Sequence, residues 1–132
     1  MRIRITLICL WLQTISIYAA PVIVIPDNPA DLAFPPGENQ EYAALFLNDI
    51  FEKSTGKKLE IIPENESGEY QERIFIGSTA AAKHHIGDLR KLKPEALVVR
   101  SHGNDLILCG EISPDGVDRG TLFAVYEYLE QA

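Results

Sequence analysis

The residues with chemistry to offer are three histidines, one Gly-Ser-Thr turn and a dense set of acids. His84 and His85 are adjacent, and neighbours on a helix point about 100° apart, so two such rings do not readily grip one ion. Metalloprotease zinc sites place His at i and i+4 with a Glu between them, and that pattern is missing here. His102 falls in a turn between two apolar runs. The three are read as solvated histidines, with a metal site as the alternative. Gly77-Ser78-Thr79 follows an apolar run and opens a helix, where free N–H groups could cradle an anion. No Lys follows at phosphate-binding spacing, and a tight turn with an N-cap hydroxyl is the simpler reading. Glu64, Glu66, Glu69, Glu72, Asp105, Glu111, Asp115 and Asp118 could supply acid–base chemistry. A glycosidase holds two carboxylates about 5–9 Å apart in a cleft, one with a raised pKa. These acids lie among Gly, Ser and Asn in loops and turns, which favours solvation and capping. No Gly-x-Ser-x-Gly elbow is present. No catalytic residue, metal ligand or cofactor is therefore assigned.

Asp118-Arg119-Gly120 is the most suggestive local group. Asp118 can cap the helix that follows, and Gly120 permits close backbone approach. Arg119 would stand at the domain edge, either bracing a loop or reaching for a neighbouring domain or a sugar carboxylate.

Periodicity supplies the elements that must position these residues. Val22 to Ile25, Lys58 to Ile62 and Arg73 to Ile76 read as strands. Ala96 to Arg100 and Asp105 to Cys109 read as a hairpin around Ser101-His102-Gly103-Asn104. A first helix begins after Asn39 as N-cap. It carries Ala43, Phe46, Leu47 and Ile50 at i, i+3, i+4 and i+7, with Phe51 widening the stripe and Gly56 as the stop. A short helix runs through Ala80, Ala81 and Ala82 to Gly87. The last helix has Leu122, Val125, Tyr126 and Leu129 on one stripe, expected as core, with Phe123 and Tyr128 off it. The order βαββαββα implies an α+β fold, an α/β sandwich in which helices cover a mixed sheet.

Arg2 and Arg4, the apolar run Ile5 to Leu12 and the small pair Ala19-Ala20 before Pro21 read as a signal peptide over residues 1–19. The apolar stretch is too short to span a bilayer of about 30 Å. Residues 20–132 form one domain large enough for a single core. The full chain carries a net charge of −7, and loss of two arginines with the leader makes it −9. An acidic chain without a basic run is poorly suited to nucleic acid, or to a membrane once the leader is cleaved. Cys9 leaves with the leader, so Cys109 has no partner for an internal disulfide. The expected location is the periplasm or outside the cell.

Four fragments in order carry a family resemblance: Ser54-Thr55-Gly56-Lys57-Lys58-Leu59, Ile74-Phe75-Ile76-Gly77, Asp105-Leu106-Ile107-Leu108-Cys109-Gly110, and Arg119-Gly120-Thr121-Leu122-Phe123-Ala124-Val125-Tyr126-Glu127-Tyr128-Leu129-Glu130. Together they resemble the N-terminal accessory domain of bacterial α-glucuronidases and related secreted glycoside hydrolases. The likeness extends more distantly to the corresponding domain 2 of β-N-acetylhexosaminidases. The resemblance implies a zincin-like architecture, a name for a shape and not for zinc. It also implies a role in polysaccharide degradation beside a catalytic glycosidase barrel that carries the catalytic carboxylates. The sequence stops two residues after the last motif, so the barrel, in cis in relatives, is expected outside this chain; a truncated gene, a fragment, and a domain used alone or with a barrel in trans are the alternatives. Arg119, Phe123 and Tyr128 are then the candidate docking residues. The alternative is a stand-alone secreted module that binds an oligosaccharide or a protein.

Overall fold

A computed structural model of the chain describes residues 20–27, 40–118 and 120–131. The leader, the Asn39 cap and Arg119 lie outside the described residues.

Within them the chain is α+β, with one mixed five-stranded sheet and three helices. The strands are β1 (Val22–Ile25), β2 (Ile61–Pro63), β3 (Arg73–Ile76), β4 (Leu97–His102) and β5 (Asp105–Gly110). The helices are α1 (Gln40–Thr55) between β1 and β2, α2 (Ala80–His85) after β3, and α3 (Gly120–Gln131) after β5. Spatial order across the sheet is β2-β1-β3-β5-β4. The first four run parallel, and β4 closes one edge antiparallel to β5.

β1, β3 and β5 carry apolar runs because both faces of the sheet are covered there, whereas the edge strand β4 has no buried residue. Ile23, Ile74, Ile76 and Leu108 point to the side packed by α1 and α3. Val22, Val24, Phe75, Ile107 and Cys109 point to the other side, under Ala82 of α2 and Leu89 of a following 3₁₀ turn. Successive strand residues alternate between these two cores, as a period of two requires.

Local signals account for the ends of the elements. Gly56 takes φ +80° after α1, and its N–H returns to the Glu52 carbonyl at 2.7 Å. Thr79 caps α2, its Oγ1 accepting from the Ala82 N–H at 3.1 Å. Gly103 has φ +60° in the two-residue turn between β4 and β5, the position where a II′ hairpin needs it. The second strand starts later than the expected Lys58. Asn48 of α1 takes both backbone groups of Leu59, accepting its N–H at 2.8 Å and donating to its carbonyl at 2.9 Å. Leu59 is thus tied to the helix, and the ladder begins beyond it.

Gly110 and Gly120 set how α3 meets the sheet. A Cβ built on Gly120 would stand 2.5 Å from the Ala96 carbonyl oxygen and 2.6 Å from the Gly110 Cα. The first turn of α3 therefore rests directly on β5, and its inner face begins at Gly120 and Thr121.

Candidate functional site

That close approach fixes the rotation of α3 and corrects the expected stripe. Its buried residues are Gly120, Thr121, Ala124 and Val125, and Tyr128 packs against the same core. Tyr126, expected inside, is 38 % exposed, while Phe123 is 41 % exposed. Successive residues turn by about 100°, so a stripe that starts at Thr121 must carry Tyr128 inward and Tyr126 outward. On α1 the buried side chains are Gln40, Ala43, Ala44, Leu47 and Asn48, and Phe46 is half-buried at the rim.

An apolar, aromatic surface results where α1 and α3 lie side by side. The Phe46 and Tyr126 rings meet edge to face at 5.2 Å, and Phe123 lies 6.3 Å from Tyr126. Phe46, Ile50, Tyr126, Leu129 and Glu130 line a crevice of about 330 Å³ between the helices. A second hollow of about 360 Å³ opens beside it, walled by Leu47, Ile50, Phe51, Leu59, Ile74, Tyr128 and Leu129. Of the candidate docking residues, Phe123 lies on the open surface and Tyr128 lines the second hollow, while Arg119 lies outside the described residues. Neither Phe46 nor Tyr126 was expected on the surface. The Gly110–Gly120 pair was the signal for Tyr126, since their close approach sets the rotation of α3.

At the start of α1 and α3 lies a buried polar knot. Asp118 has no exposed surface. Its carboxylate accepts from Gln40 Nε2, from the Thr121 N–H at 3.0 Å and from Thr121 Oγ1 at 2.6 Å. Gln40 Oε1 in turn accepts from Ser78 Oγ at 3.2 Å. Burial raises the Asp118 pKa, and the Thr121 and Gln40 hydrogen bonds oppose that shift. Asp118 thus caps α3 as expected, but it is enclosed instead of solvated. Cys109 nearby has its thiol pushed up to about 12, mainly by burial. Neither group has access to a substrate.

The other acids are mostly engaged in structure. Glu64 accepts the N–H groups of Ala80 at 2.7 Å and Ala81 at 3.0 Å, so the anion at the start of α2 is the chain's own carboxylate. Asp105 takes a two-pronged contact from Arg73, at 3.1 and 2.9 Å. Glu111 accepts the Glu95 N–H, and Asp115 is held by Ser113. Glu66 and Glu69 are exposed, and Glu72 is half-buried.

The histidines do not stay apart. His85 at the end of α2 packs on His84 at 4.8 Å between ring centroids, and on His102 at the end of β4 at 4.0 Å. His84 meets His85 edge to face, and the His102 ring lies tilted by 37° against His85. Among the described residues no group of three or more His, Cys, Asp or Glu is placed to hold a metal ion. His84 and His85 form one wall of a groove of about 460 Å³ on the α2 face, opposite the α1–α3 surface.

Comparison with protein-family models, with curated proteins and with solved structures found no match to this chain. Among the described residues no helix is long and apolar enough to cross a membrane.

Proposed function

We infer that this chain is a non-catalytic accessory domain of secreted carbohydrate-degrading machinery, docking through its α1–α3 surface onto a catalytic glycosidase barrel. The observation that carries this reading is the aromatic surface of Phe46, Phe123 and Tyr126 beside the Leu129 crevice. Large exposed apolar patches on a folded domain mark interaction surfaces, with buried aromatics as their usual anchors. The family resemblance supplies the partner, and the zincin-like architecture belongs to the same proposal. Arg119, which lies outside the described residues, is kept as a candidate docking residue on the family resemblance alone. The engagement of Glu64, Asp105 and Asp118 within the fold supports a role without hydrolysis by the domain itself. Export through the leader would place the domain in the periplasm or outside the cell. A stand-alone binding module is the second reading, favoured by the open aromatic rings, which could stack on a sugar.

Sedimentation and titration with a barrel in trans distinguish these readings. The wild type should self-associate or bind the α-glucuronidase barrel. A Phe123→Ser, Tyr126→Ser variant should remain folded and do neither. If both proteins are monomeric and neither binds the barrel, docking is wrong. Saturable binding of an oligosaccharide that the same variant abolishes would then establish the second reading.

A further inference from the structure

We propose that the groove on the α2 face is a binding site for a small ligand bearing a carboxylate or phosphate, seated against His84 and His85. The two acids that line it are already hydrogen-bonded within the fold. Both Glu64 oxygens are taken by the Ala80 and Ala81 N–H groups, and both Asp105 oxygens by the Arg73 guanidinium. The Arg73 charge is offset by Asp105 in the same pair, which leaves His84 and His85 as the lining groups that can gain positive charge. His85 faces His84 on its own helix, Arg100 and His102 on β4, and Asp105 on β5, with Arg73 of β3 and Glu64 lining the same groove. Arg100 Nη1 donates to the His85 carbonyl at 3.0 Å, which fixes a guanidinium beside the rings.

Protonating this cluster gathers like charges within one or two ring diameters. Burial, His102, His84 and Arg100, in that order, all lower the His85 pKa, and Asp105 alone opposes them. An oxyanion in the groove would reverse that balance by offering the rings a counter-charge. Proton uptake and anion binding are then linked, so affinity rises as pH falls through the imidazole range. The volume of about 460 Å³ exceeds what a bare ion fills and lies in the range of small-molecule pockets. The short side chains of Ala80 and Ala81 keep that space open above Phe75. The groove lies on the face away from the aromatic surface, so it stands or falls separately from docking.

Because the chain has three histidines in all, two lining the groove and His102 in ring contact with His85, their imidazole proton resonances report on it. The full chain is titrated with gluconate, with inorganic phosphate, with neutral glucose, and with chloride at matched ionic strength. Gluconate keeps its charge across the range used, so it serves for the pH comparison. The expected result is saturable movement of the resonances with gluconate, phosphate or both, at least about ten-fold tighter at about pH 5.5 than at about pH 7.5. Response to one anion alone identifies which oxyanion the groove takes. A His84→Gln, His85→Gln variant should lose saturable binding, followed through His102. Equal response to chloride or glucose, affinity independent of pH, or no saturation with either anion overturns the proposal. Those titrations use the wild type, so they remain decisive even if the variant fails to fold.

Discussion

Asp118 joins three parts of the chain through one carboxylate. Gln40 at the head of α1 and Thr121 in the first turn of α3 both donate to it, and Gln40 also accepts from Ser78 after β3. Asp118→Ala removes the acceptor and strands buried donors, at a cost of about 1–3 kcal/mol read by urea denaturation. Asp118→Asn keeps an acceptor for Thr121 and should cost less. The pH dependence has a definite sign. A carboxyl whose pKa is raised on folding keeps its proton to higher pH in the folded state than in the unfolded chain. The stability linked to Asp118 is therefore full below 3.8 and is lost as pH rises through the raised value. Asp118→Asn should flatten that decline in denaturation midpoints taken across the acidic range, whereas an unchanged profile would mean that the group titrates normally.

The placement of α3 decides which side chains are core and which are surface. Gly120 meets the Gly110 Cα and the Ala96 carbonyl, and neither backbone can swing aside as a flexible side chain would. Gly120→Ala should push α3 off β5, destabilise the fold by about 1–3 kcal/mol or more, and loosen the α1–α3 crevice. Thermal unfolding checks the first effect, and altered near-ultraviolet circular dichroism of the aromatic cluster checks the second. The tyrosines separate in the same experiment. Tyr128→Ala removes packing against Leu47 and Ile74 and should cost about 1–3 kcal/mol, less than full burial would imply. Tyr126→Ala lies on the open side and should shift stability by no more than about 0.5 kcal/mol. The reverse ranking would mean that α3 is rotated differently.

At the scale of the molecule, two cores share one sheet, and the two outer faces differ in chemistry. The α1–α3 side presents rings and aliphatic chains, while the α2 side presents a groove of histidine, arginine and compensated acids. Export is testable at this scale as well. N-terminal sequencing of protein recovered from periplasm or medium should begin at Ala20. Recovered protein that still starts at Met1 would rule out cleavage there.

What the sequence by itself determined is local. Val22 to Ile25 and Arg73 to Ile76 declare themselves as strands because β-branched and apolar runs end at Pro26 and Gly77. Gly56, Thr79 and Gly103 mark a stop, a cap and a turn because each satisfies a demand of its own backbone. The candidate sites were legible only in part. Phe123 was recognisable as a surface residue because it lies off every version of the α3 stripe. Tyr126 and Tyr128 exchanged their expected roles because a hydrophobic stripe read from one helix cannot say how closely that helix approaches the sheet. Only the tertiary structure brings Gln40 to Asp118 across 78 residues, and His102 against His85. Only it sets the order β2-β1-β3-β5-β4. Those contacts depend on which strands become neighbours, and a periodicity carried by one segment holds no record of the segment it will pack against.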